Sequence, residues 1–156
     1  ESENDILEIR DELYRSGYAS RMKNYSVQKQ TTPRPLKFRT SGGYTLLCGK
    51  NNTQNDYVTT KLADKKDWWF HVKNMPGSHV VMQSGDAEPS ERDFTEAAMV
   101  AAFYSKAEGN NIAVDYTKAK NVKKPSSSKP GFVIYSSNWT AYVTPNEEEI
   151  KKMQIK

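Results

Sequence analysis

Two adjacent tryptophans sit in a stretch that suits a strand far better than a helix: Asp67-Trp-Trp-Phe-His-Val-Lys73. Aromatic and β-branched residues at this density favour a pleated, half-buried surface. The stretch is followed by Met75-Pro76-Gly77-Ser78 and then by His79-Val-Val-Met-Gln83. Pro76 and Gly77 fill the two central slots of a type II turn, so the pattern predicts a simple antiparallel hairpin. Lys73 would then face His79, and His71 would face Val81. Side chains alternate along a strand, which puts Trp68, Phe70 and Val72 on one face and Trp69, His71 and Lys73 on the other. If one face is core, the other offers a ring, an imidazole and an ammonium side by side. Such a surface can stack a base and hold a phosphate. In the plainer alternative both tryptophans are core and the histidines are hydrogen-bonded structural residues.

The same logic extends along the chain. Leu36–Thr40 and Tyr44–Cys48 flank Ser41-Gly42-Gly43, a second hairpin signal. Residues 52–63 read as a short helix with Tyr57, Val58 and Leu62 on its apolar side. Ser90-Glu-Arg-Asp93 has the form of a capping box, and the alanine-rich helix it opens runs to about Ala107. Asp115–Thr117 reads as a short strand. Pro125 to Pro130 reads as a Ser/Lys/Pro loop. Phe132–Tyr135 and Thr140–Val143 read as a last hairpin through Ser137-Asn138, with a final helix after Pro145. Strand pairs joined by short turns, with helices between them, define an α+β domain built on an antiparallel sheet with packed helices.

Residues 4–16 carry Ile6, Ile9 and Leu13 at helical spacing, with Gly17 placed to stop them. So short and acidic a helix buries little alone, and it is expected to be the end of a coiled coil. A first residue of Glu1 rather than Met points the same way, to a piece of a longer protein. The expected organisation is a coiled-coil end at 1–17, a basic linker at 18–35 and a core domain at 36–156. Nine Tyr, five Phe and three Trp supply that core.

Charge is segregated. The formal net charge is +4, yet residues 1–15 hold six acids against Arg10 and Arg15. From Ser16 to Asn55 there is no acid, and seven bases. Lys118, Lys120, Lys123, Lys124 and Lys129 form a second basic cluster, with no acid after Asp115 to break it. Segregated positive charge is the footprint of a polyanion binder, although a solvated lysine face gives the same composition.

Gly49-Lys-Asn-Asn-Thr-Gln-Asn-Asp56 is a second constellation. A glycine, a base and a run of amides open the helix. Helix N-termini present N–H groups to phosphate, Lys50 adds charge, and Asn51, Asn52 and Asn55 can reach base edges or ribose. Capping by Asn51 or Asn52 is the structural counterpart. Candidate contacts for a nucleic-acid polyanion are Lys50, Asn51, Asn52, Asn55, His71, Lys73, His79, Lys120, Lys123 and Lys124.

Catalytic readings find little support. The spacing does not match a phosphate-binding Gly-x4-Gly-Lys-Ser/Thr loop, and no nucleophile-elbow, zinc-protease or dinucleotide motif is present. His71 and His79 lack a ligand-spaced partner beyond Asp67 or Cys48, so no metal and no cofactor are expected. Cys48 is the single cysteine, lies in an apolar stretch and reads as a small buried hydrophobe. No apolar run is long enough for a transmembrane helix, and no membrane insertion is expected.

Several motifs fall in a telling order: Gly49–Asp56, Asp67–Lys73 with Pro76-Gly-Ser-His-Val80, Ala97-Ala98 to Tyr104-Ser-Lys106, Val114–Thr117 to Asn121–Lys124, and Lys129-Pro-Gly131. Together they closely resemble the C-terminal RNA-binding-type domain of the NFACT family, over about residues 36–145. That family includes ribosome-associated quality control factors of the RqcH type and streptococcal fibronectin-binding proteins. The resemblance implies a non-enzymatic, RNA-contacting domain whose partners are the large ribosomal subunit and tRNA, in a cytoplasmic factor supporting C-terminal tailing of stalled nascent chains. The same resemblance carries a competing function, a fibronectin-binding adhesin at the cell surface, with RNA favoured because segregated bases beside amides and aromatics match nucleic-acid chemistry.

Overall fold

The computed structural model describes residues 34–155. The expected coiled-coil end and nearly all of the expected linker lie outside these residues. The element order is β1 (Leu36–Arg39), β2 (Thr45–Cys48), α1 (Asn52–Tyr57), a π-helical turn (Val58–Leu62), β3 (Trp68–Val72), β4 (Val80–Gln83), α2 (Glu91–Phe103), β5 (Ile112–Lys118), a 3-10 turn (Ala119–Asn121), β6 (Val122–Lys123), β7 (Ile134–Tyr135), β8 (Trp139–Val143), α3 (Glu147–Met153) and β9 (Gln154–Ile155).

Seven strands form one sheet in the order β8-β5-β3-β4-β2-β1-β9, antiparallel at every pairing. The α+β class read from the sequence is therefore the class observed. β6 and β7 make a separate two-stranded ribbon. Both faces of the sheet are covered. On one, Phe38, Leu46, Phe70, Val72, Val80 and Met82 pack against the alanines of α2, whose small side chains let the helix lie close to the strands. On the other, Trp69, Leu47 and Val81 pack under Val58 and Leu62 of the π turn and under Val122, Val133 and Tyr135. Double coverage explains why β3 reads as a nearly unbroken run of large side chains.

The first hairpin forms as the sequence indicates, with Leu36 opposite Cys48 and Arg39 opposite Thr45. Its turn is held from afar. Glu96 of α2 accepts from Ser41 N (2.7 Å) and from the Ser41 hydroxyl (2.6 Å), and Asp93 accepts from Gly42 N at 2.8 Å. Asp93 also closes the capping box with Ser90, so one carboxylate both starts α2 and anchors the hairpin.

Two expected pairings are corrected. β3 and β4 do pair, but with Trp69 opposite Val81 and Phe70 opposite Val80, two residues from the expected register. His71 faces Asp115 of β5 instead. The reason is the 73–79 segment, which is a loop rather than a four-residue turn. Positive φ falls at Asn74 (57°) and not at Gly77, so no type II turn forms on Pro76-Gly77. The loop is recruited by the end of α2: Ser78 N donates to Tyr104 O (3.0 Å), Lys106 N donates to Pro76 O (3.3 Å), and Gly77 bridges Ser105. A Cβ on Gly77 would sit 2.8 Å from Ser105 Cβ and 2.9 Å from Val72 Cγ1, so glycine is required for this close approach. The last hairpin also fails to form. β7 pairs with β6, while β8 crosses to β5, because Asp115 and Thr117 offer the 135–140 segment partners on the sheet.

Candidate nucleic-acid interface

The segment 49–56 is locally self-consistent. Asn51 caps α1 by accepting from Gln54 N at 2.9 Å, and Gln54 Oε1 accepts in return from Lys50 N at 2.9 Å. This reciprocal pair leaves the side chains of Lys50, Asn51 and Asn52 at the surface, the asparagines exposed and Lys50 half-buried. Asn55 points inward and is buried. Its Oδ1 accepts from His79 N (3.0 Å) and its Nδ2 donates to Gly77 O (3.4 Å). Asn55 thus ties α1 to the loop before β4, and its role is structural.

His79 is buried too, with both ring nitrogens engaged. Trp69 Nε1 donates to Thr59 Oγ1 at 3.1 Å, and that hydroxyl lies 2.7 Å from His79 Nδ1. His79 Nε2 lies 3.1 Å from Gly131 O. A carbonyl can only accept, so Nε2 carries the proton and Nδ1 accepts from Thr59. Burial, reinforced by the neighbouring His71, lowers the pKa of His79 from 6.5 to about 3, so the ring is neutral at physiological pH. His71 lies beside it, stacked on Trp69 with centroids 5.7 Å apart and edge-on to His79 at 5.3 Å. Burial lowers its pKa as well. The expected trio of His71, Lys73 and His79 is corrected to a pair. Lys73 pairs across to Ala113, and its ammonium lies 3.7 Å from Asp115. The expected open face is in fact an interior, because Trp69 is completely buried.

What this interior does is hold a loop in place. Gly131, at φ 85°, donates its N–H to Asp56 Oδ1 at 2.8 Å while its carbonyl receives His79. Lys124 reaches the same Asp56 oxygen at 3.2 Å and donates to the carbonyls of Phe132 (3.0 Å) and Lys129. Lys124 is therefore a strut that ties the 124–132 loop together. The strapping draws the 124–132 segment, which carries Lys124 and Lys129, against α1. Lys120, Lys123 and Lys129 are exposed and form no ion pair among the described residues. The surface contributed by Lys50, Asn51, Asn52, Lys123 and Lys129 is cationic and amide-rich, and it comes from segments some seventy residues apart in sequence. Lys120 lies elsewhere, at the 64–67 turn, where its N–H donates to Lys65 O at 3.2 Å.

Sequence reasoning missed one group. Trp139 is 54% exposed and Tyr142 68% exposed, both on the edge strand β8. The available signal was a third tryptophan next to the polar run Ser136-Ser137-Asn138, where a core residue is not expected.

Among the described residues no group of three or more His, Cys, Asp or Glu is placed to hold a metal ion. The domain is thus an antiparallel α+β fold with a cationic face strapped over a hydrogen-bonded interior. Its sequence defines the class. The family model for the NFACT protein RNA binding domain covers residues 34–143, and the chain belongs to this family. It is 44% identical over 156 residues to the Rqc2 homolog RqcH of Bacillus subtilis, covering 98% of this chain and 27% of that protein. It is 26% identical over 119 residues to coiled-coil domain-containing protein 25 of Bos taurus, covering 72% of this chain and 57% of that protein. A solved structure, the C-terminal part of the fibronectin/fibrinogen-binding protein from Streptococcus suis, superposes with a TM-score of 0.79 at 43% identity, over 97% of this chain and 61% of that one. The chain thus spans about a quarter of the length of the RqcH relatives it matches. No helix among the described residues is long and apolar enough to cross a membrane.

Proposed function

We propose that this domain binds RNA without catalysing a reaction, through the face made by Lys50, Asn51, Asn52, Lys123 and Lys129. Within a longer protein, that contact serves a cytoplasmic ribosome-associated quality control factor that engages the large ribosomal subunit and tRNA during C-terminal tailing of stalled chains. The observation that carries the reading is the Asp56 clamp. Its bonds to Gly131 N and Lys124 set two distant basic segments side by side. Lysines on such a face meet phosphates, while exposed amides reach ribose or base edges. His79, Asn55 and Lys124 act behind the face as positioning residues.

The name of the Streptococcus suis relative supports a second reading, a fibronectin-binding domain displayed at the cell surface. Salt separates the two. Each phosphate contact releases counterions, so RNA affinity falls by about 0.7 to 0.9 log units per log unit of salt for each contact. Titration against labelled tRNA and against fibronectin at two salt concentrations tests both. Salt-steep tRNA binding weakened by Lys123→Glu/Lys129→Glu supports the RNA reading. Salt-tolerant fibronectin binding with no tRNA affinity overturns it in favour of the adhesin.

A further inference from the structure

The basic face described above lies on the α1 side of the sheet. The α2 side carries a different surface at the corner where β3, β5 and β8 meet. Tyr116 faces Trp139 across the β5–β8 ladder, and Trp68 faces Lys118 across the β3–β5 ladder, so all four side chains share one face. The indole of Trp139 is stacked on Tyr116, with centroids 6.0 Å apart and planes 27° from parallel, and lies edge-on to Trp68 at 5.9 Å. Trp139 is nevertheless 54% exposed. Its ring is backed on one side and open on the other, a large apolar plane held in a fixed orientation. Beside it the ammonium of Lys118 rests 4.5 Å from the centre of the Trp68 ring. Trp68 and Phe94 floor a groove of about 470 Å³ walled by Lys66, Lys118 and the 85–89 loop.

Charge gathers at this corner for a structural reason. The 64–67 turn and the end of β5 are bonded together by Ala119 N to Asp67 O (2.8 Å), Lys120 N to Lys65 O (3.2 Å) and Lys118 Nζ to Lys66 O (2.8 Å). Lys65, Lys66, Lys118 and Lys120 therefore share one rim. Of the acids nearby, Asp86 is taken up by Lys66 at 2.8 Å, Asp67 is buried, and Asp64 accepts from Lys66 N, while Glu88 is exposed on the far wall of the groove, in the 85–89 loop. Lys120, in the 3-10 turn that leads on to Lys123 of β6, continues this rim along the chain. An apolar plane flanked by cations, with a lysine path leading away, is the pairing that single-stranded nucleic acid requires. Every base has a π face to stack, and every linkage has a phosphate to neutralise. A duplex cannot use the plane, because its bases are already stacked inside the helix.

We propose that Trp139, with Trp68 and Lys118 beside it, is a stacking platform for an unpaired base, so that the domain takes RNA with a single-stranded segment rather than duplex alone. The proposal rests on the RNA-binding reading and adds the class of RNA. The strand runs from the platform past Lys118 and Lys120 toward Lys123.

The test compares a short labelled single-stranded RNA with the blunt duplex of the same sequence by fluorescence anisotropy, using the wild-type chain, Trp139→Ala, Trp139→Phe and Lys123→Glu. Stacking of one base predicts that Trp139→Ala weakens the single strand about tenfold or more and leaves the duplex within about twofold, while Trp139→Phe retains most of the affinity. In the wild type, the single strand quenches indole emission and the duplex does not, a readout that requires no variant to fold. If Trp139→Ala binds the single strand as the wild type does while Lys123→Glu weakens both RNAs, the platform is overturned and the RNA reading stands. If the wild type binds neither RNA, both fall. Emission that responds to an apolar peptide and not to RNA overturns the platform and makes the corner a protein-docking patch.

Discussion

Burial of His79 makes a quantitative prediction about pH. The ring is 1% exposed, both nitrogens are bonded, and its pKa falls from 6.5 to about 3. In the unfolded chain the imidazole titrates near its ordinary value, so between these two values only the unfolded state takes up the proton. The stability contributed by the neutral ring is fully present above the unfolded value and is lost as pH falls toward the folded one. Linkage puts the loss between pH 7 and pH 5 at about 2 kcal/mol for this group alone. His79→Gln is polar, smaller and does not titrate. It costs about 2 kcal/mol at neutral pH through the lost Thr59 bond and looser packing under Trp69. The difference in stability between wild type and variant therefore shrinks almost to nothing by pH 5. His71 is lowered in the same direction, but it is present in both chains and largely cancels. Urea unfolding followed by indole emission at pH 5, 6 and 7 measures the difference, and Trp69, edge-on to His79 at 5.3 Å, serves as a reporter. A wild-type-minus-variant difference that does not change with pH refutes the reasoning, since it requires an imidazole that titrates alike in both states.

Other outcomes follow from the same structure. Gly131→Ala places a Cβ 2.6 Å from Asn52 Oδ1 at a φ of 85°. It should cost about 1–3 kcal/mol by thermal melting and weaken RNA binding by loosening the strap. Asp93→Ala removes the capping box and the Gly42 anchor together, and should lower stability by about 2 kcal/mol in urea titration, more than an ordinary cap. Burial raises the Cys48 thiol pKa from 9.0 to about 12, so a thiol reagent at pH 8 should label it only as fast as the domain opens, and labelling should accelerate in urea. Labelling of the folded chain at the rate of a free thiol would contradict that burial.

The sequence revealed strands and helices better than their partners. Alternation alone assigned the two faces of Trp68-Trp69-Phe70-His71, and a register error of two residues left that assignment intact, since two is the side-chain period. The register itself was not legible. The 73–79 loop is shaped by Tyr104, Ser105 and Lys106 at the far end of α2, a long-range contact with no local signature. The same limit hid the fate of β7 and β8, which part company because buried Asp115 receives Tyr135 at 2.6 Å and Thr140 at 2.8 Å. Within the candidate interface, composition found the lysines and amides. It could not tell Lys123, which is exposed, from Lys124, which is spent on Asp56, because adjacent lysines differ only in what the fold brings to them. Asn55 and His79 have the hydrogen-bonding chemistry their residue types offer, but it is directed at Gly77, Thr59 and Gly131.

The clamp at Asp56 changes how a mutational survey of this domain reads. An acid in the middle of a cationic patch would ordinarily be scored as a repulsive blemish, and its neutralisation as an improvement in affinity. Here Asp56 holds Gly131 and Lys124 in place, so removing its charge disperses the cations it appears to oppose. Lys124, in turn, scores as a ligand contact in any scan that records only loss of binding. Paired measurements of affinity and unfolding on the same variants divide the patch into side chains that touch a polyanion and side chains that keep the others where they are.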